Sequence, residues 1–174
     1  MVKKNEIING APDWVYEEEF GFSKAFAWSS DGRSLAYMKF NEKRVKSYTL
    51  TYFDKLYPTL YTYKYPKAGE DNSIVSVHIY NLDSKQTSQA DIGPETNQYI
   101  PRIKWTEDPS KLAIIRLNRL QNKVDVLSTD AHTGKSDIIF SETNKWYISE
   151  VNDNYINFLK DKNHFIIFSE MRWI

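Results

Sequence analysis

The sequence predicts an all-β chain that forms part of a β-propeller. Aromatic residues make up 15% of its 174 residues, and many of them stand in short alternating runs. Tyr and Phe favour the pleated, half-buried surface of a sheet, whereas segments with a helical period are scarce. A weakly repeated hairpin motif then favours a propeller over a sandwich or a closed barrel.

Short strands are predicted along nearly the whole chain. Apolar and polar residues alternate with a period of two in segments separated by turn signals such as Asp31-Gly32. The predicted strands span residues 23–28, 34–40, 47–53, 74–80, 86–92, 99–105, 112–117, 123–127, 136–140, 147–150, 155–158 and 165–168.

A hairpin motif of the form aromatic-x-x-Asp-x-x-x-apolar occurs three times, at residues 28–35, 105–112 and 158–165. In each copy an aromatic residue ends one strand, and an Asp holds the turn by accepting hydrogen bonds from the backbone amides that follow it. The irregular spacing of the copies indicates propeller blades that carry insertions.

Composition excludes several classes of protein. Lys and Arg balance Asp and Glu at 23 each, so the chain has no broad basic field, and nucleic acid or an anionic membrane is not an expected partner. The absence of Cys removes disulfides, thiolate catalysis and Cys-based metal sites. No apolar run is long enough for a membrane helix, and residues 1–12 lack the apolar stretch of a signal peptide.

A Tyr-rich segment at about residues 54–72 does not fit a tight blade. It contains two prolines, Pro58 and Pro66, among closely spaced tyrosines. One interpretation is an arm that projects from the ring and contacts a second subunit. The other is a long loop that folds back on its own domain, and the sequence favours neither.

The densest chemical feature is residues 13–20, Asp-Trp-Val-Tyr-Glu-Glu-Glu-Phe. An acidic triplet is ordinarily a solvated surface, but Asp13 after Pro12 is a good helix N-cap, and the aromatic neighbours indicate a packed segment. A short helical turn is therefore predicted here. On a helix adjacent side chains are about 100° apart, so Glu18 and Glu19 can converge, whereas in a strand they would point to opposite faces.

Converging carboxylates require a cation between them. An ammonium group has three donors and can bond both acids, and the free N-terminus of a peptide is such a group. A metal ion is the competing cation, but no His lies nearby and the acids lack the spacing of a calcium loop. The sequence thus predicts no metal site and no cofactor.

These residues resemble the propeller domain of the dipeptidyl peptidase IV family. The acidic motif at 13–20 carries the resemblance with Ala-Trp-Ser-Ser-Asp-Gly at 27–32, Leu-Ala-Tyr at 35–37, Tyr-Pro-Lys-Ala-Gly at 65–69 and Arg-Leu-Gln-Asn at 119–122, in the family's order. The acidic motif is specific to this family, whereas the hairpin motif occurs in many propellers. The resemblance spans nearly the whole chain.

The resemblance implies a serine exopeptidase that releases N-terminal dipeptides with Pro, or less well Ala, in second position. In that family an eight-bladed propeller lies over an α/β-hydrolase domain, and the last two acids of the motif, here Glu18 and Glu19, bind the substrate's free amine. It also implies a homodimer in which the arm, from Asp54 to Tyr65, takes part. The parent enzyme is expected to be exported, in the periplasm or cell envelope, and the lack of Cys fits a bacterial source.

The chain itself is expected to contain no catalytic residue. No Gly-x-Ser-x-Gly elbow is present, and His78, His132 and His164 have no matching nucleophile. Residues 1–174 are therefore interpreted as a single partial propeller domain without the hydrolase domain. A non-catalytic propeller-type module that binds other proteins through its aromatic surface is the alternative, and a related tripeptidase or acylaminoacyl peptidase is a third interpretation.

Three further residues are expected to line the substrate pocket. Family members place an aromatic residue followed by Arg after the strand near Trp146, and our alignment puts Val151 and Asn152 at those positions. Trp146 and Tyr147 are candidates to replace the missing aromatic contact. The expected pocket lining is therefore Trp146, Tyr147 and Val151.

Overall fold

The computed structural model describes residues 2–4, 6–149 and 151–171. Within them the chain is almost entirely antiparallel β-structure with one short helix, which confirms the predicted all-β class. The strands are β1 Val2–Lys4, β2 Ile7–Asn9, β3 Phe26–Trp28, β4 Ser34–Asn41, β5 Ser47–Tyr52, β6 Thr59–Lys64, β7 Ile74–Asn81, β8 Thr87–Gln89, β9 Gln98–Trp105, β10 Lys111–Asn118, β11 Lys123–Asp130, β12 Ser136–Thr143, β13 Ile156–Phe158 and β14 Phe165–Ile167, and the helix α1 is Trp14–Phe20.

The first sheet is a blade in which two short strands, β2 and β3, share one side of β4. Its order is β1-β2-β4-β7-β8, and β3 also pairs with β4. β2 pairs with the end of β4 at Lys39–Asn41, and β3 pairs with its beginning at Leu35–Tyr37. The segment between β2 and β3 carries α1, so the helix lies between the two short strands that pair with the same side of β4.

The second sheet is a four-stranded blade in the order β12-β11-β10-β9, with a register shift in the β9–β10 pairing and another in the β11–β12 pairing. Its central strands β10 and β11 are buried over most of their length, and they share one apolar core with Met38 and Phe40 of the first sheet and Tyr16 of α1. β13 and β14 form a separate two-stranded sheet. This succession of antiparallel units agrees with a partial β-propeller.

The Asp turns form as the motif predicts. Asp31 accepts hydrogen bonds from the Ser29 hydroxyl (2.6 Å) and the Arg33 amide (3.0 Å). Asp108 accepts one from the Ser110 amide (2.9 Å) and Asp161 one from the Asn163 amide (3.0 Å) in the other two copies. Hydrogen bonds from neighbouring residues hold the pKa of all three carboxyls below the ordinary value.

Residues 47–64 form a hairpin of their own. β5 pairs with β6 from Ser47↔Lys64 to Tyr52↔Thr59, so the strand expected at 47–53 lies in the arm and not in a blade. The arm is thus an ordered two-stranded ribbon, because its alternating tyrosines form cross-strand pairs such as Tyr48 with Tyr63. Its second strand, β6, was not predicted from the sequence.

Two predicted strands differ in the structure. The strand expected at 86–92 is limited to β8, Thr87–Gln89. Residues 147–149 are not in a strand, because the Ile148 amide donates to the Gln121 carbonyl (2.7 Å) in a connection between loops; Glu150 lies outside the described residues. Strand β2 was not predicted, since three residues are too few to show a period.

No helix in the described part of the chain combines the length and apolarity that a bilayer crossing would require.

The turn between β11 and β12 packs directly on the first blade. The Asp91 amide donates to the Gly134 carbonyl (2.8 Å), and Gly134 has a φ of +75°. A Cβ at Gly134 would overlap the backbone carbonyl of Gln89. Glycine is therefore required here both by conformation and by the close approach of two backbones.

We predict that Gly134→Ala lowers the free energy of unfolding by about 2–5 kcal/mol, because left-handed strain adds to overpacking against Gln89. The matched control is Gly32→Ala, where φ is +69° and a Cβ has no neighbour within 4 Å, so about 1–2 kcal/mol is expected. Equilibrium urea unfolding of both variants measures the difference. Equal losses would mean that the contact between Gly134 and Gln89 contributes nothing.

Candidate functional site

The acidic helix begins and ends with well-formed caps. Asp13 is the N-cap, with extended backbone, and its carboxylate accepts a hydrogen bond from the Tyr16 amide (3.0 Å). Gly21 ends the helix in the left-handed conformation, at φ +65°. The predicted helical turn and the capping role of Asp13 are both confirmed.

One residue anchors the buried face of the helix. Tyr16 is fully buried, and its ring lies 4.9 Å from that of Phe40 and 6.1 Å from that of Tyr99. Its hydroxyl accepts a hydrogen bond from the Ile100 amide (3.0 Å) in β9. Burial raises the pKa of this hydroxyl above its ordinary value, so it stays neutral at physiological pH.

The opposite face of the helix presents the acids to solvent. Glu17, Glu18 and Glu19 are all exposed. Glu19 lies at the boundary of two cavities. The loop-side cavity, of about 240 Å³, is lined by Glu19, Phe20, Leu117, Gln121, Tyr147, Ile148, Ser149, Val151 and Asn152. The arm-side cavity, of about 360 Å³, is lined by Trp14, Val15, Glu19, Phe20, Tyr65, Pro66, Lys67, Ala68, Asn72, Tyr99, Arg119 and Gln121.

The structure brings together three of the five predicted site residues. Glu19, Tyr147 and Val151 line the same loop-side cavity. Glu18 lies beside Glu19 on the helix but borders neither of the two cavities. Trp146 is 73% exposed and outside both linings, and the ammonium group of Lys145 lies 4.9 Å from the centre of its ring.

Sequence reasoning missed Gln121 and Arg119 as site residues. Gln121 borders both cavities, and Arg119 borders the arm-side cavity. The Arg119 guanidinium lies 5.5 Å from the Tyr99 ring and donates to the Glu70 carbonyl (3.2 Å). Both residues belong to the 119–122 motif that carried part of the resemblance, so that motif was the available signal.

Among the residues that the structure describes, no three His, Asp or Glu side chains are grouped closely enough to hold a metal ion. The three histidines lie apart from the cavities around Glu19. His164, for example, bonds Asp161 of its own turn (2.7 Å). What the site offers chemically is a carboxylate at the junction of two partly apolar cavities.

Comparison with known proteins gives a consistent result. A family model described as "Dipeptidyl peptidase IV (DPP IV) N-terminal region" matches residues 3–172. The chain is 32% identical over 177 aligned positions to dipeptidyl peptidase 4 of Trichophyton equinum, covering 95% of this chain and 23% of that protein. A probable dipeptidyl peptidase 4 of Aspergillus flavus is 32% identical over 93% of this chain and 23% of its own length. The chain thus spans about a quarter of these relatives.

Solved structures agree with the sequence comparison. A crystal structure of Porphyromonas gingivalis dipeptidyl peptidase 4 superposes with a TM-score of 0.77 at 44% identity, covering 82% of this chain and 20% of that one. A putative dipeptidyl aminopeptidase IV from Bacteroides ovatus gives a TM-score of 0.76 at 27% identity, covering 87% and 21%.

We predict that Asp13→Ala lowers the free energy of unfolding by about 1 kcal/mol, because the Tyr16 amide loses its acceptor, whereas Asp13→Asn retains most of the stability. Burial, with the nearby charge of Glu42, raises the pKa of Asp13. The folded chain therefore holds this proton more tightly than the unfolded chain, and this contribution to stability falls as pH rises above the ordinary Asp pKa.

Urea unfolding as a function of pH measures both effects. Asp13→Asn should abolish the part of the pH dependence that Asp13 causes, and Asp13→Ala should remove the cap as well. Equal stability of the two variants at neutral pH would show that the cap does not support the helix.

Proposed function

The chain belongs to the dipeptidyl peptidase IV N-terminal region family, and we propose that it selects substrates for a serine exopeptidase that releases N-terminal X-Pro or X-Ala dipeptides. In this proposal the chain binds the free N-terminal amine of a peptide. The observation that carries it is the position of Glu19, on a capped helix at the junction of two cavities.

Amine capture fits the chemistry of the helix face. A peptide ammonium carries three N–H donors and no acceptor, so a carboxylate is its natural partner. Glu19 supplies a carboxylate at the cavity wall. In this proposal Glu18, which borders neither cavity, adds a second carboxylate from the neighbouring helix position.

The loop-side cavity is suited to the first side chain of the substrate. Phe20, Tyr147 and Val151 provide apolar and aromatic walls next to Glu19. A ligand whose ammonium bonds Glu19 can direct an apolar side chain against these walls. This arrangement accepts differing first residues, because packing on an open apolar wall discriminates weakly between side chains.

The chain contributes positioning, and the reaction itself belongs to a second domain. We assign the nucleophile to an α/β-hydrolase domain of the same protein, for which the chain holds the peptide at a fixed distance. Fixing the amine holds the bond to be cleaved, which follows the second residue, in a defined position relative to the nucleophile. We further propose that the parent protein is exported to a bacterial periplasm or cell envelope.

The arm is proposed to form a homodimer contact. The ribbon β5–β6 exposes large apolar side chains near its tip, including Phe53 (81% exposed), Leu56 (91%) and Tyr57 (79%). Exposed apolar clusters of this kind typically mark protein–protein interfaces. A second copy of the protein is the proposed occupant.

A non-catalytic module that binds a different protein is the second candidate function, and the same exposed ribbon favours it. The two candidates differ in what the gene encodes. A Gly-x-Ser-x-Gly segment downstream in the same reading frame decides for the peptidase.

We predict that Glu19→Gln and Glu18→Gln in the full-length protein each lower kcat/KM for dipeptidyl amides with a free N-terminus by about 10-fold to 100-fold, since each removes a charged hydrogen bond worth about 1.5–3 kcal/mol. Glu17→Gln is the matched control, because Glu17 is also exposed on the same helix. N-acetylated substrates report the activity that does not depend on the amine. Normal turnover by both variants would refute amine capture.

We predict that Leu56→Asp shifts the full-length protein from dimer to monomer at micromolar concentration, because a charge is placed in an apolar contact. Leu120→Asp is the control, since Leu120 is 75% exposed in the turn between β10 and β11, outside the ribbon β5–β6. Sedimentation velocity measures the distribution. A dimer that both variants leave intact would exclude the tip of the arm from the interface.

A further inference from the structure

Arg102 in β9 connects the acidic helix to the loop between β12 and β13, which contains Asp153. Its Nη2 donates to the Phe20 carbonyl at the end of α1 (2.8 Å), and its Nε donates to Oδ1 of Asp153 (2.5 Å). A third bond runs from Nη1 to the Pro101 carbonyl (2.7 Å). The Arg102 side chain is only 12% exposed, whereas that of Asp153 is 85% exposed, so the bridge is shielded from water at the guanidinium and open to it at the carboxylate.

The two ends of the bridge flank opposite walls of the loop-side cavity. Phe20 directly follows Glu19 in sequence, and Asp153 lies two residues after Val151. Glu19, Phe20 and Val151 all line that cavity. Arg102 itself does not line it, and therefore acts on its dimensions from behind the walls.

We propose that Arg102 is a positioning residue that fixes the separation between Glu19 and Val151, and so the place at which a peptide ammonium is held relative to the first side chain. This inference rests on the proposed function of the site. It concerns a residue that is outside the acidic motif and does not line the loop-side cavity.

The chemistry of the guanidinium suits this task. The last carbonyls of a helix lack partners within the helix, and a cation there is favoured by the helix dipole. A planar fork bonds several acceptors in fixed directions, whereas a Lys ammonium is a single point charge on a flexible stem. The guanidinium also lies 5.1 Å from the ring of Phe22, just beyond the helix, which restricts its movement further.

The position of a helix as short as α1 depends on contacts such as this bridge. Helices of this length are unstable alone and take their geometry from tertiary contacts. Asp13 holds the first turn, and Arg102 holds the last carbonyl. Without the second contact the end that carries Glu19 is free to shift against the loop.

Lys104 provides a matched control on the same strand. Lys104 lies two residues from Arg102 on the same face of β9. Its ammonium group also bonds the loop, by donating to the Asp153 carbonyl (3.2 Å) and the Ile156 carbonyl (2.8 Å). Within the described residues its hydrogen-bond acceptors, which include the Asn157 side chain (3.0 Å), lie at 153–157 and not on α1. Lys104 thus secures the loop without connecting it to the helix.

The test compares Arg102→Met, Arg102→Lys and Lys104→Met in the full-length protein. Substrates are alanyl-prolyl p-nitroanilide and its N-acetylated form. For Arg102→Met we expect KM for the free-amine substrate to rise about 10-fold with kcat within about twofold, because ground-state anchoring is lost. The acetylated substrate should be unaffected, Arg102→Lys should recover part of the loss, and Lys104→Met should match the unaltered protein.

Asp153→Asn keeps the test valid if Arg102→Met does not fold. The Asp153 side chain is 85% exposed, so its neutralisation should leave folding intact and raise KM in the same direction by about threefold. Equal losses on both substrates, or the same loss in Lys104→Met, would overturn the positioning role. Glu19→Gln separates the two hypotheses: if it is impaired while Arg102→Met and Asp153→Asn are normal, only the role of Arg102 fails, and if it is normal, the proposed function fails.

Discussion

The hydrogen bond from the Ile100 amide to the Tyr16 hydroxyl is the contact on which the candidate site depends. It joins the acidic helix to the second sheet, while the Tyr16 ring packs 4.9 Å from Phe40 of the first sheet. A helix of seven residues has little stability of its own. The contacts of Tyr16 therefore set the rotation of the helix about its axis and its distance from the two sheets. The direction in which Glu19 points is therefore a property of the packing between two sheets.

In this short helix the residues that stabilise the fold and the residues that carry charge lie on different faces. Val15 and Tyr16 face the core, and the acids face water, so the carboxylates require no buried partner and cost little to desolvate. Strands β2 and β3 both pair with β4 on either side of the insertion, which lets the blade continue past the helix. The acids are thus held on a rigid support rather than on a free loop.

Local features were predictable from the sequence and tertiary ones were not. The Asp13 cap and the Asp31 turn use partners within three residues, so residue type alone indicates them. Alternation at 47–52 is the same in a blade and in a separate ribbon, and it could not show that β5 pairs only with β6. Whether Glu18 or Glu19 borders a cavity depends on the rotation of the helix, which long-range contacts set. The position of Gln121 in the site likewise depends on a long-range contact, its hydrogen bond with Ile148.

A candidate site built from a helix on one sheet and a loop on another requires links that fix the distance between its walls. Tyr16 fixes the helix, Arg102 connects its end to Asp153, and the Gln121 carbonyl holds the loop through the Ile148 amide (2.7 Å). These links use backbone groups and side chains behind the cavity. The exposed wall residue Tyr147 takes no part in them, so a change of its side chain can alter what the cavity accepts while the frame, and the position of Glu19 in it, stays the same.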